Sequence, residues 1–275
     1  MIELPSDVLM RLGSTPMELT RLGSSRVFHG NDLMAKFGPP ERIAREAFLF
    51  GEASALMPIG VPVFVDAGPR WILTQDPGGE PVDPNDVSPL SGLALVHELF
   101  QDATGIDHER FRDVFGRERE TLLTAARGSA IAESLPEPLA SLLVDPSPLL
   151  SIVDAEPRTL VHGDAAPANV VARRPDDLVW LDWEDAGAGP AAFDLAVWLY
   201  GSPRASGSMS PEGALGAYFG ARTTSIDPRG FKRAVDAAAV LGFVLLDIAN
   251  LPDGDPDLHR GIVERRNELA ASLLS

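Results

Sequence analysis

Fourteen residues, DPGGEPVDPNDVSP (76–89), divide this 275-residue chain into two stretches that read differently. Proline removes amide donors, glycine frees the backbone and aspartate favours turns, so neither a helix nor a central strand can run through them. Before the divide, MELTRLG (17–23), SRVFHG (25–30) and DLMAKFG (32–38) are short, rich in strand formers and separated by Gly, Ser or Asn-Asp, as in a meander. PERIAREAFLFGEASALM (40–57) carries apolar residues at helical spacing between charges, with Pro40 at its start and Pro58 as its stop. VPVFVDAG (61–68) and RWILTQ (70–75) complete a strand pair. After the divide, helical patterns cover 89–102, 107–127, 136–153, 190–200, 211–221, 229–251 and 257–274. Short strands interrupt them near 159–161, 168–173 and 178–182. The expected domains are therefore 1–76 and 77–275, a small strand-rich part and a larger helical one.

Charge follows the same division. The chain carries a net charge of −17, yet residues 1–75 hold eight acids and seven bases, while 76–275 hold 32 acids and 16 bases. Such a surface repels phosphate backbones, which excludes nucleic acid as a partner. It attracts cations to the second stretch, or it serves solubility alone. The longest apolar run, AAAVLGFVLLDIA (237–249), is broken by Asp247 and falls short of the ~20 residues of a membrane span. Without cysteine there is neither a disulfide framework nor a thiolate metal site. With no signal-peptide pattern in MIELPSDVLM, the expectation is a cytoplasmic protein.

The chemistry concentrates in TLVHGDAAPANVVARRPDDLVWLDWEDAGAGPAAFDLAVWL (159–199), where His162, Asp164, Asn169, Asp182, Glu184 and Asp194 punctuate apolar runs. Asp164 and Asn169 share a loop made by Pro167 and small residues, and Asp182 ends an apolar strand. Oxygen ligands of this kind suit a hard cation such as magnesium. A carboxylate left free of the metal can accept a proton from a hydroxyl, the combination that phosphoryl transfer requires. Caps and turns also use Asp and Asn, a reading that weighs most for Asp194 and evenly for Glu184 and Asp185.

HGD-x4-N, then an apolar run ending D-W-E, then G-x-x-x-F-D-L-A resembles the aminoglycoside phosphotransferase and choline kinase group of small-molecule kinases. The resemblance implies an α+β, bilobal, protein-kinase-like fold, with a small antiparallel-sheet N-lobe that binds nucleotide and a mainly helical C-lobe. It implies that Asp164 is the catalytic base, that His162 orients its loop, that Asn169 and Asp182 ligate magnesium, and that Asp194 braces the loop. Such an enzyme needs a strand lysine for the phosphates. The chain has two lysines against 21 arginines, and one of them, Lys36, lies on the third expected strand. Lys232 reads as a solvated helix residue. Glu46 matches the lysine's helical partner best, with Glu41 and Glu52 as alternatives. RLGSSRVFHG lacks a G-x-G-x-x-G pattern, so Ser24 and Ser25 are the expected phosphate contacts, against the alternative of a plain hairpin. RWILTQDPGG resembles the hinge, with the base against Ile72 and bonded near Thr74 and Asp76, while Pro77 can only flank it. His97 reads as a packed polar residue. LPDGDPDLHRGIVE (251–264) imitates a calcium loop but has Leu258 where the sharp turn needs Gly.

The expected function is transfer of the ATP γ-phosphate, with Mg2+, to a hydroxyl of a small cationic acceptor such as an aminoglycoside or another basic antibiotic. A neutral or zwitterionic acceptor and a non-catalytic nucleotide binder are the alternatives. The protein is expected to be a monomer or a homodimer, independent of membranes.

Overall fold

The computed structural model describes residues 5–13, 15–22, 25–103, 106–201, 210–248 and 256–275. In chain order the elements are α1 (Ser6–Leu12), β1 (Met17–Leu22), β2 (Ser25–Gly30), β3 (Leu33–Phe37), α2 (Pro40–Gly51), β4 (Phe64–Gly68), β5 (Trp71–Gln75) and β6 (Glu80–Pro81). There follow α3 (Ser88–Leu99), α4 (Arg110–Arg112), α5 (Arg119–Arg127), α6 (Glu137–Val144), α7 (Ser147–Asp154), β7 (Arg158–Val161), β8 (Val170–Arg174), β9 (Asp177–Trp180) and β10 (Gly187–Pro190). The last are α8 (Ala191–Tyr200), α9 (Pro211–Ala221), α10 (Pro228–Gly242) and α11 (Pro256–Leu274). Two compact units emerge, Met1–Pro84 with Pro167–Ala186, and Asn85–Ala166 with Gly187–Ser275. No described helix is long and apolar enough to cross a membrane.

The first unit is built on a five-stranded sheet of order β1-β2-β3-β5-β4, with every neighbouring pair antiparallel. Asn31 and Asp32 both adopt positive φ, which gives the two-residue turn whose twist matches its strands and sets Gly30 opposite Leu33. Val8 and Leu12 of α1 pack on Phe28, Ala35, Phe37 and Leu73. The rings of Phe28 and Phe37 meet edge to face at 5.8 Å. Helix α2 buries Ile43, Glu46, Leu49 and Phe50, an i, i+3, i+4 face that includes one carboxylate. The hairpin β8–β9 belongs to this unit and pairs Val170 with Trp180 and Val171 with Val179. Strand β6 lies alongside β8.

The second unit is helical, with α10 packed on α7, α8 and α11, and α3 packed on α9. Helix α8 is apolar nearly all round and buries eight of its ten residues, as a central helix must. The rings of Tyr218 and Phe231 stack at 5.3 Å. A two-stranded ladder pairs β7 with β10, setting Val161 opposite Gly187. A Cβ at Gly187 would meet His108 at 2.6 Å, so only glycine lets this strand lie so close.

The α+β class expected from the sequence is the one found, but several boundaries move. The helix expected over 136–153 is two, α6 and α7. Asp145 takes an extended φ of −141° because the ring of Pro146 disfavours a helical residue before it. The 107–127 segment passes through a π-turn at Asp113–Arg117, and α10 runs into another at Phe243–Asp247. Helix α2 stops at Gly51, well before Pro58. Elements α1, β6 and β10 were not anticipated. Gly23, Ser24 and part of the 251–264 segment lie outside the described residues.

Candidate active site

Lys36 on β3 has its ammonium among three carboxylates. It lies 3.1 Å from Glu46, 2.7 Å from Glu184 and in direct contact with Asp182. Each partner arrives from a different element. Glu46 comes from the buried face of α2, where Glu41 and Glu52 are exposed. Asp182 follows β9 in a left-handed conformation with φ of 60°, a region that Asp tolerates better than most residues. Glu184 sits in the 3-10 turn Trp183–Asp185 beyond it. Trp183 is fully buried and donates its indole N–H to the carbonyl of Trp180 at 3.2 Å, which fixes that turn.

The α2 face that carries Glu46 also carries arginines. Arg42 bonds one oxygen of Glu184 at 2.6 Å and reaches Asp185 at 3.6 Å, and Arg45 donates to the Glu184 carbonyl. The second oxygen of Glu184 accepts the Ser25 hydroxyl at 2.8 Å. Burial opposes the charge on Lys36, but Glu46, Asp182 and Glu184 outweigh it and raise its pKa. Burial pushes the Glu46 carboxyl up to about 7, reinforced by Asp182 and opposed by Lys36. Burial also acts on Glu184, but Lys36, Ser25 and Arg42 prevail and hold it below the usual carboxylate range.

This cluster forms the polar end of a cavity of about 250 Å³. Val27, Ile72 and Leu181 are among its apolar walls, and Thr74, Pro77, Asn169, Asp182 and Glu184 line it too. Asn169 and Asp182 come together because Leu181 donates its N–H to the Asn169 carbonyl at 2.8 Å, one rung beyond the β8–β9 ladder. Carboxylate oxygens of Glu46, Asp182 and Glu184 all lie within 4.8 Å of one another. With the Asn169 amide lining the same cavity, this oxygen-only donor set fits a hard cation such as magnesium.

In the second unit, β7 delivers the chain into His162-Gly163-Asp164. Asp194, fully buried on α8, accepts the backbone N–H groups of His162 at 2.7 Å and Gly163 at 3.0 Å. Its Oδ2 also meets His97 Nε2 at 3.1 Å, and His97 Nδ1 meets the Tyr218 hydroxyl at 2.9 Å. Arg222 donates to that hydroxyl at 3.1 Å. With the His97 proton on Nε2, His97 donates to Asp194 and accepts from the Tyr218 hydroxyl. The imidazole of His162 is buried, with Nδ1 3.3 Å from the Asp164 amide nitrogen, whereas Asp164 is exposed.

Three residues stand apart from their sequence reading. Asp76 is not among the residues that line the cavity. Its N–H goes to the Asp32 carbonyl at 2.9 Å, and its carboxylate holds His29 and the Gly78 N–H, each at 2.9 Å. This is an Asx turn, the local bond that short acidic side chains favour. The Ser25 hydroxyl, expected at a phosphate, is bonded to Glu184. Glu184 itself, weighed only as a solvated residue or a carboxylate of uncertain use, is central to the cluster. Its signal was the i, i+2 acidic pair flanking a tryptophan at the end of an apolar strand.

The model of the family described as "Phosphotransferase enzyme family" matches residues 36–231. No curated protein matches the chain significantly. Among solved structures, the gentamicin complex of aminoglycoside phosphotransferase APH(2")-IIa superposes with a TM-score of 0.65 at 16% identity, covering 98% of this chain and 97% of that one. A choline/ethanolamine kinase family protein from Mesorhizobium loti gives 0.61 at 18%, covering 96% and 89%. Macrolide 2'-phosphotransferase MphH from Brachybacterium faecium gives 0.60 at 23%, covering 97% and 95%. The chain belongs to the phosphotransferase enzyme family and has the fold of the small-molecule kinases.

Proposed function

We propose that the protein transfers the γ-phosphate of a purine nucleoside triphosphate, ATP in the sequence reading, to a hydroxyl of a small cationic acceptor. One observation carries the reading: a lone strand lysine held by Glu46 at the polar end of an apolar cavity, in contact with Asp182 and Glu184. The base would lie between the apolar walls, with its phosphates toward Lys36. Asn169 and Asp182 would hold magnesium, which supplies neutralisation of phosphate charge when bound. Lys36 would exchange its carboxylate contacts for phosphate oxygens, with Glu46 keeping the ammonium in place.

Asp164 would orient the acceptor hydroxyl and take its proton as the new O–P bond forms. Asp194 and His162 would hold the loop that carries it. Catalysis of this kind is positioning and electrostatics, so the loop's fixed backbone matters as much as the carboxylate. The acid excess after residue 75 favours a cationic acceptor. Aminoglycosides are the molecules named with two of the similar structures, gentamicin and streptomycin.

The test is magnesium-dependent nucleotide consumption across aminoglycosides, macrolides, amino alcohols and sugars. Stimulation by cationic acceptors, abolished by Asp164→Ala, is expected. Stimulation by uncharged acceptors alone would remove the cationic substrate, and nucleotide binding without stimulation by any acceptor would remove the enzyme.

A further inference from the structure

Tyr218 lies fully buried in the row of side chains that ends on Asp194. Its ring stacks on Phe231 at 5.3 Å. Among the described residues its hydroxyl has two partners, His97 Nδ1 at 2.9 Å and Arg222 Nη1 at 3.1 Å. Arg222 is held from its other side, donating Nη2 to Gln101 Oε1 and to Thr224 Oγ1, each at 3.1 Å. His97 is held as well, because Thr159 of β7 donates its hydroxyl to the His97 carbonyl at 2.7 Å. All of these residues belong to the second unit, as does the loop 162–164.

The chemistry of these groups gives the row a direction. A guanidinium has N–H donors and no acceptor, so Arg222 can only give a hydrogen bond to the Tyr218 oxygen. Burial raises the pKa of the Tyr218 phenol, which therefore keeps its proton. Of the two partners only His97 Nδ1 can accept that proton, so Nδ1 is bare. The proton of the imidazole then sits on Nε2 and points at Asp194 Oδ2, 3.1 Å away. The opposite tautomer fails at both ends: it sets a lone pair against a buried carboxylate and leaves the buried phenol proton without an acceptor among the described residues, which is costly.

We infer that Tyr218 and Arg222 are positioning residues for phosphate transfer: they fix the His97 tautomer, which aims the Nε2 proton at Asp194, and Asp194 holds the His162 and Gly163 amides and so the backbone that presents Asp164. Neither residue lines the cavity at Lys36. The inference rests on the role proposed above for Asp164 and adds control of its loop from α9 and the residue that follows it. One hydrogen bond in such a row corresponds to about two- to tenfold in rate.

Nitrogen-15 NMR of the whole protein with labelled histidine reads the tautomer and needs no activity, the His97 signals being assigned by their absence from His97→Gln. The expected result is a protonated Nε2 and a bare Nδ1, and a protonated Nδ1 overturns the relay. Tyr218→Phe keeps the ring and removes only the hydroxyl. It should lower single-turnover phosphate transfer about three- to tenfold, with magnesium–nucleotide affinity within about twofold of the parent. Arg222→Lys keeps a group that can only donate, and should transfer within about twofold of the parent's rate. Arg222→Gln brings a carbonyl acceptor to which the phenol proton can turn, and should lose rate as Tyr218→Phe does. Transfer at the parent's rate by Tyr218→Phe, or equal rates for Arg222→Lys and Arg222→Gln, overturns the positioning role. If Tyr218→Phe does not fold, the comparison of the two Arg222 variants decides. If the parent protein transfers phosphate to no acceptor, the proposed role of Asp164 falls and the positioning role with it, whereas the relay still stands or falls on the spectrum.

Discussion

Asp194→Asn changes two atoms' chemistry and almost no volume, so its cost follows from hydrogen bonds alone. Asp194 Oδ2 accepts from the His162 N–H and from His97 Nε2, and Oδ1 accepts from the Gly163 N–H. An asparagine has one acceptor oxygen. Placed at Oδ2, it keeps two donors and turns its own NH2 toward the Gly163 N–H. In the reverse orientation it keeps only one, so the first is preferred. Two charge-assisted bonds weaken to neutral ones, at about 1 kcal/mol each, and one buried N–H loses its partner at about 1–3 kcal/mol. Burying a neutral amide in place of a carboxylate returns part of this, leaving a net loss of about 2–4 kcal/mol.

That is tolerable for a fold of about 5–15 kcal/mol, so the variant should remain folded. Urea denaturation reads the loss as a lower midpoint at unchanged slope. The loop carrying Asp164 is the part loosened, so kcat should fall at least tenfold while nucleotide affinity stays within about threefold. A midpoint shift worth less than 0.5 kcal/mol, on the order of an ordinary surface substitution, would refute the reasoning. So would unchanged kcat, because Asp194 would then be a passive packing residue.

Two further perturbations follow. Lys36→Met leaves Glu46 buried without its cation, at a cost of about 3–5 kcal/mol, less whatever Glu46 recovers by taking up a proton. Adding Glu46→Gln should restore at least ~1 kcal/mol, and strictly additive losses in urea would show the pair uncoupled. Glu98 accepts hydrogen bonds from Thr223 and Thr224, led by the Thr223 backbone N–H, and its pKa falls from 4.5 to about 2. A depressed carboxylate stabilises fully above its unfolded pKa and loses that contribution as pH falls from 4.5 through about 2. Glu98→Gln should therefore flatten the acid side of a stability profile between pH 5 and 2.5, and parallel profiles would contradict it.

The parts of the site that were legible in the sequence are those whose residue types are costly without a purpose. Lys36 stood out because arginine fills almost every other basic position. Asp164, Asn169 and Asp182 stood out because polar residues interrupt apolar runs, where burial without a partner is unfavourable. Glu184 was less legible because its role depends on three distant partners, Ser25, Lys36 and Arg42, and no local pattern encodes them. The row His97–Tyr218–Arg222 is likewise a product of α3 packing on α9.

In the fold, hairpins with explicit turn residues were readable, as at Asn31-Asp32. Strand β10 was not, because Gly-Ala-Gly-Pro has no strand preference and owes its conformation to β7 beside it. The break at Asp145-Pro146 was readable in principle, since proline restrains the residue before it. The π-turns were not, because one extra residue shifts a helical period without any residue that announces it.

Comparing Asp182→Asn and Asp164→Asn side by side bears most directly on the proposed division of labour, in which the Lys36–Asp182 cluster holds the nucleotide and Asp164 takes the acceptor's proton. Magnesium–nucleotide affinity and single-turnover phosphate transfer would be measured on both proteins. Asp182→Asn should weaken magnesium–nucleotide binding at least tenfold, whereas Asp164→Asn should bind it within about threefold of the parent and transfer at less than a thousandth of its rate. Equal, mild losses from both substitutions, or tight magnesium–nucleotide binding by Asp182→Asn, would contradict it.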